Sequence, residues 1–208
     1  MHVPSTPTSE LDIISFETLL NEALIPNTEY DISKWLFVPN KYDEFRYILG
    51  TKGNNPLICV GINPSTARPD KLDNTLKSVE RIAHSNGYDS FIMFNVYAQR
   101  ATKPTDMDKV LNEKLHRENM AAFEYILKSY KNNKPSVWAA WGNIIEMRPY
   151  LKGCVLDMLD LGNKYSALWY SSGAISKKGH PHHPLYLKST SPLDDFDVLS
   201  YLENCLKY

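Results

Sequence analysis

Four short apolar runs, with helical stretches between them, constrain this chain more than any other feature. Residues 57–62, 90–97, 136–141 and 166–171 are rich in aliphatic and aromatic side chains. Runs of this length, apolar on successive positions, read as strands buried on both faces. Between the first two, Asp73-Asn74 can cap a helix that runs to about residue 85 and closes at Asn86-Gly87. Residues 109–131 place Leu111, Leu115, Ala122, Tyr125 and Ile126 on one helical stripe, and Asn132-Asn133-Lys134-Pro135 breaks it. A short helix is expected over 143–151 and an amphipathic one over 194–206. Strands that alternate with helices predict an α/β fold, a three-layer α/β/α sandwich with a mainly parallel four-stranded central sheet. Residues 42–49 are expected to add an antiparallel edge strand, with Gly53-Asn54-Asn55 turning the chain into the first central strand.

The remaining sequence bounds the class of protein. At 208 residues, one domain with a full core is expected. No internal repeat is visible. Residues 1–35 read as an N-terminal extension and helix, with 1–9 disordered or extended and 11–24 helical. Residues 36–208 read as a single α/β domain. The net charge of −1 gives no global cationic field, which argues against a broad nucleic-acid coat but leaves a local patch open. Cys59, Cys154 and Cys205 are scattered and lack a CxxC pair. A disulfide scaffold or structural zinc site is therefore not expected, and a reducing cytoplasm fits. The first dozen residues lack the basic and apolar regions of a signal peptide. No run reaches the ~18 apolar residues of a membrane span, so no membrane partner is expected.

The carboxyl ends of the four strands hold the chemistry-bearing residues. Strand one ends in Gly61-Ile62-Asn63-Pro64-Ser65, a tight turn with an amide at its mouth. The second delivers Asn95, followed by Tyr97, Gln99, Arg100 and Thr102; the third delivers Trp141-Gly142-Asn143. From the fourth the chain leads to Lys177, Lys178, His180, His182 and His183. In a parallel sheet these ends share one edge, where open α/β folds bind ligands. Amides carry a donor and an acceptor, which suits the edge of a nucleobase. Imidazoles and cations suit a developing anion.

In this order the residues resemble the uracil-DNA glycosylase superfamily. Gly61-Ile62-Asn63-Pro64 is similar to its first motif, in the form seen in mismatch-specific thymine and uracil glycosylases. Phe94-Asn95-Val96-Tyr97 resembles the strand whose Asn reads the base, and Trp141-Gly142 the Trp-Gly of the next strand. His180-Pro181-His182-His183-Pro184-Leu185 resembles the His-Pro-Ser-Pro-Leu motif. The likeness spans about residues 57–187. A closer resemblance is to an uncharacterised bacterial and phage family with Asn-Pro-Ser-Thr-Ala, Arg-Ala-Thr, Ala-Trp-Gly and His-Pro-Leu-Tyr-Leu motifs, here 63–67, 100–102, 140–142 and 183–187.

The superfamily resemblance implies a uracil-DNA-glycosylase-like fold that hydrolyses the N-glycosidic bond of a flipped pyrimidine, modified or not, in DNA. Asn63 would position water, and His180 or His183 would face the base oxygen. Gly61, Ile62, Ser65, Asn95, Trp141 and Gly142 would form the base pocket. Arg100, Thr102, Lys177 and Lys178 would contact phosphates, and Leu185 would enter the stack. No cofactor is implied. Ser65 stands where strict uracil enzymes carry a bulky residue. The segment 66–74, with Asp70 and Asp73, is foreign to them. The extra histidine leaves open which imidazole faces the base.

Plainer readings stand beside these. Asn-Pro after a strand is a common turn, Asn95 alone reads as a strand cap, Trp-Gly as packing, and Lys177-Lys178 as a solvated pair. Two further functions compete with excision. One is a non-catalytic module that binds a nucleotide or modified base. The other is a metal-assisted hydrolase built on His180, His183 and Asp70 or Asp73. The three histidines are too crowded in sequence to ligate one ion together, so no metal site is expected.

Overall fold

The computed structural model of the chain describes residues 1–26, 29–130 and 133–205. One sheet organises them. Its strands are β1 (Trp35–Val38), β2 (Ile48–Thr51), β3 (Pro56–Gly61), β4 (Ser90–Asn95), β5 (Ser136–Ala139), β6 (Leu168–Ser172) and β7 (Leu193–Asp195). The spatial order is β1-β2-β4-β3-β5-β6-β7. The pairs β4/β3, β3/β5 and β5/β6 are parallel, while β1/β2, β2/β4 and β6/β7 are antiparallel. The expected four-stranded sheet is thus the parallel centre of a seven-stranded mixed sheet. Short antiparallel strands extend both of its sides and leave only short edges to solvent.

The helices are α1 (Phe16–Ala23), α2 (Asn74–Ser85), α3 (Glu113–Ser129), α4 (Pro149–Lys164) and α5 (Val198–Cys205). Strand side chains alternate between two cores, as the two-residue period of a strand requires. Ile58, Val60, Ile92, Phe94, Val137 and Ala139 pack with α1, α3 and α4. Leu57, Cys59, Phe91, Met93, Trp138 and Ala140 pack with Leu76, Val79, Ile82 and Ala83 of α2. Helices α1, α2 and α3 start where a side chain satisfies an open amide. Asp73 accepts from the Leu76 amide at 3.0 Å, and Asn112 accepts from Leu115 at 3.0 Å.

Several expectations need correction. Residues 42–49 do not form an edge strand. The Arg46 amide donates to Ala98 O and Phe45 makes an isolated bridge with Gln99, so β2 begins only at Ile48. It lies between β1 and β4, and β1 takes the edge. The short helix expected over 143–151 is a 3-10 turn, Gly142–Met147, followed by the long helix α4. The spacing of Leu151, Cys154, Val155, Met158 and Leu159 on its buried face was the signal. Gly153 and Gly162 weaken that signal by propensity. Residues 1–7 form no helix, Thr8–Glu10 is a 3-10 turn, and the helix expected over 11–24 is confined to α1, Phe16–Ala23, behind its Ser15 cap; the His2 amide donates to Thr102 Oγ1 at 2.6 Å, and the Thr8 hydroxyl donates to Asp108 at 2.5 Å. The expected helix ends at Lys131 and Leu206, and the break at Asn132, lie outside the described residues. Among the described residues no helix is long and apolar enough to cross a membrane.

The larger core hinges on α3. Phe123 is fully buried, and its ring stands 5.0 Å from that of Phe94 on β4. Phe123→Ala should cost about 3–5 kcal/mol through lost burial and a residual cavity. Urea denaturation should give a lower midpoint with an unchanged slope. A loss under about 1 kcal/mol would mean that this contact does not anchor α3.

Candidate functional site

The connections create a crevice at the carboxyl end of β3. Its chain leaves to α2 on one face of the sheet, while its neighbours β4 and β5 lead to α3 and α4 on the other. Neighbouring loops that part in this way open a ligand crevice. A cleft of about 660 Å³ lies there, the size of a small-molecule site. Gly61 to Thr66, Asp73 to Leu76, Asn95, Thr102, Gly142 to Ile144 and the segment 181–186 contribute to its walls.

Asn95 is its most informative residue. The side chain lines the cleft and is 1 % exposed, yet neither Nδ2 nor Oδ1 has a partner among the described residues. Leaving such groups unpaired costs about 1–3 kcal/mol each, and buried polar groups are almost always satisfied. Its backbone is fixed: Asn119 Nδ2 donates to Asn95 O at 3.0 Å and Val96 O at 3.3 Å. Gly61 faces Asn95 in the parallel register. A Cβ on Gly61 would lie 2.6 Å from Met93 Cε and 3.3 Å from Asn95 Oδ1. Glycine therefore keeps open the space in front of the amide.

Asn63 is held differently. Its Nδ2 donates to Ala101 O at 2.7 Å and Pro64 O at 3.1 Å. Both amide hydrogens are engaged, which leaves the Oδ1 acceptor for the cleft that Asn63 lines.

The histidines separate into two environments. His183 lines the cleft, and its Nδ1 accepts from the Leu185 amide at 3.3 Å. A neutral ring with an accepting Nδ1 carries its proton on Nε2, so His183 offers a donor. Burial lowers its pKa from the ordinary 6.5, with Asp73 opposing, and the ring is neutral at pH 7. Gly142, at φ 62°, passes close beneath it: a Cβ there would stand 3.7 Å from His183 Cβ. His182 also lines the cleft. His180 does not. It is fully buried, with Nδ1 2.9 Å from Tyr201 Oη and Nε2 3.2 Å from Glu146. Trp141 Nε1 donates to the same Tyr201 hydroxyl at 2.9 Å. His180 and Trp141 thus anchor α5 rather than wall the cleft.

The other residues singled out in the sequence divide likewise. Ile62, Ser65, Thr102 and Leu185 line the cleft, and the Ser65 hydroxyl donates to Thr102 at 3.1 Å. Arg100 is fully buried behind the wall and donates to the Ser65 and Ala67 carbonyls. Lys177 and Lys178 are exposed and outside the lining, and Lys178 pairs with Glu146. Asp73 lines the cleft, whereas Asp70 accepts from Trp35 Nε1 at 3.2 Å and faces Lys34. Among the described residues no group of three or more His, Cys, Asp or Glu side chains is arranged to hold one metal ion. Sequence reading missed Arg46, a buried lining residue. Its signal was a lone cation within the apolar run 45–49.

Fold and cleft together define an α/β protein with a polar crevice at the carboxyl edge of a parallel sheet core. A family model described as "Protein of unknown function (DUF1643)" matches residues 46–185, and the chain belongs to that family. No curated protein and no solved structure matches the chain.

The His183 environment has a titration consequence. Its folded pKa lies below the ordinary 6.5, so the unfolded chain binds more protons in the window between the two values. Stability should therefore rise with pH through that window and level off above it. NMR titration of the His183 ring should give a midpoint below 6.5, and His183→Gln should flatten the stability slope there. A midpoint above 6.5 would contradict the buried, neutral ring.

Proposed function

We propose that the cleft receives a flipped pyrimidine nucleotide and hydrolyses its N-glycosidic bond, in the manner of the uracil-DNA glycosylase superfamily that the motifs resemble. The unpartnered, buried Asn95 amide carries this reading. A donor and an acceptor side by side, with no partner among the described residues, match the hydrogen-bonding edge of a base. The motif residues Asn63, Asn95, Gly142 and His183, far apart in sequence, border the same cleft, which supports the resemblance. Leu185 and Tyr186 at its rim are exposed apolar side chains suited to stacking against nucleic acid.

In this mechanism the C1′–N bond breaks and its electron pair passes to the base. His183 Nε2–H donates to the base oxygen as the anion forms. Asn63 Oδ1 accepts a hydrogen bond from water and aims its oxygen at C1′, where the new C–O bond forms. The water proton passes to bulk solvent, because an amide cannot take it as a carboxylate would. Asp73 is the only carboxylate among the described lining residues. That scarcity favours one second reading, a module that binds the nucleotide without cleaving it.

Oligonucleotides carrying uracil, mismatched thymine or 5-modified pyrimidines, single-stranded and duplex, would be assayed for released base and abasic sites. One of them should be cleaved. His183→Ala should slow single-turnover cleavage by about 10²–10³-fold. Asn63→Ala should slow the same step with binding retained, and Asn95→Ala should change which base is accepted. If nucleotides stabilise the folded protein but no base is released, the binding module replaces the glycosylase.

A further inference from the structure

Two arginines meet at the cleft wall, Arg46 in its lining and Arg100 behind it, with no ion pair among the described residues. Arg46 is 1 % exposed and Arg100 fully buried. Both reach one carbonyl: Arg46 Nη1 lies 3.2 Å and Arg100 Nη1 3.3 Å from Ala67 O. Arg46 Nε, Arg100 Nε and Arg100 Nη2 have no partner among the described residues. Neither guanidinium makes an ion pair within 4.0 Å there.

The acids around the pair make no ion pair with it within 4.0 Å, and each has another bond. Asp73 faces both arginines, but its Oδ1 caps α2. Glu44 binds His2 and the Ser5 hydroxyl, and Asp43 accepts the Glu44 amide. The Tyr42 ring lies 4.3 Å from the Arg100 guanidinium carbon, covering it. Buried cations are normally paired, because desolvating a lone charge is costly. Burial and repulsion from Arg100 push the Arg46 pKa down to about 9, which marks the strain of this arrangement. Arg46 lines the cleft beside the first turn of α2, Asn74 to Leu76. The Asp73 carboxylate caps that turn, so the anion-binding character of this wall rests on the arginine and not on the helix start.

We propose that Arg46, backed by Arg100, is the anion subsite of the cleft and takes phosphoryl oxygens of the ligand. That the ligand is a nucleotide rests on the function proposed above; the anion subsite rests on the arginines alone. The planar guanidinium presents donors in a fork that matches phosphate oxygens. The phosphoryl group is either a terminal monoester of a mononucleotide or a diester of a nucleic-acid strand.

The test follows the Arg46 and Arg100 Nε–H signals by NMR in the full-length, ¹⁵N-labelled chain. Inorganic phosphate, thymidine, thymidine 5′-monophosphate and the trinucleotide d(TTT) are titrated separately, with chloride at equal ionic strength as control. Phosphate should shift the Arg46 signal saturably, and chloride should not. Arg46→Gln should weaken phosphate binding by about tenfold or more, the worth of one charge-assisted hydrogen bond. Because Arg46→Gln also loosens the hold on Ala67, the wild-type titration stands on its own. No saturable phosphate shift at Arg46 overturns the subsite, as does unchanged affinity in a folded Arg46→Gln protein. Tighter binding of the monophosphate than of d(TTT) identifies the monoester, and the reverse order the diester. Phosphate binding without any thymidine binding keeps the subsite and removes the nucleobase reading. Thymidine binding without a phosphate response does the opposite.

Discussion

The position of β3 decides where this molecule can open a cleft. Parallel strands flank it on both edges, and packed helices cover both faces of the sheet. Its backbone and side chains are therefore committed to the core, and only its carboxyl end opens outward. Even that end is tied down. Val96 N donates to Gly61 O, Tyr97 N to Ile62 O and Ala101 N to Pro64 O, each at 2.9 Å. The ladder between the first two parallel strands thus continues past their formal ends. Gly61, Ile62 and Pro64, on the cleft wall, are thus held by backbone hydrogen bonds that need no ordering on binding.

Such a scaffold tolerates unsatisfied groups at one place because it is satisfied elsewhere. Asn95 and Arg46 are buried with polar atoms that no described residue pairs, an arrangement that costs stability wherever the group stays unpaired. The cost is offset by two continuous apolar cores, one on each face of the sheet. Under the proposed function, these groups are where the ligand completes the hydrogen bonds. By contrast His180 is as deeply buried as Asn95, yet it has Tyr201 on one nitrogen and Glu146 on the other. Burial alone does not distinguish a site residue from a scaffold residue. The state of the hydrogen bonds does.

That distinction explains what was legible in the sequence. The parallel core was legible because β3, β4 and β5 are largely apolar, as burial on two faces demands, and β6 opens on Leu168-Trp169-Tyr170. The strand ends were legible too, since Asn63, Asn95 and Gly142 each follow an apolar run directly. Four segments escaped for local reasons. Strands β1 and β7 are four and three residues long, below the length at which a period can be read. Residues 45–47 look like a strand by composition but make loop contacts to Ala98 and Gln99. Helix α4 carries two glycines in its interior. The histidines show the limit most sharply. His180 and His183 share a loop and a Pro neighbour, and only the fold turns one to Tyr201 and the other to the cleft. Arg100 was visible beside its strand, but its inward direction was not, and Arg46 was hidden inside an apolar run.

Under the proposed function, the chemistry follows from which groups the cleft lacks. Asn63 can orient water but cannot take its proton, and Asp73 spends an oxygen capping α2. Little of the rate can then come from activating the nucleophile. The barrier must fall on the other side of the reaction, by stabilising negative charge on the departing base. His183 is suited to that work because it is neutral: its Nε2–H strengthens as a donor when the anion develops, without carrying a charge that holds an anion equally before reaction. Arg46 contributes in the same direction from the wall, since a buried cation with no ion pair among the described residues projects its field into the cleft, with Asp73 offsetting part of it. A ligand phosphate seated on Arg46 would neutralise part of that field, so the anion subsite and the leaving-group site compete for the same charge. Binding then favours a ligand whose phosphate engages the arginine edge while its base stays within reach of His183, and the separation between those two groups becomes the measure by which the cleft selects its nucleotide.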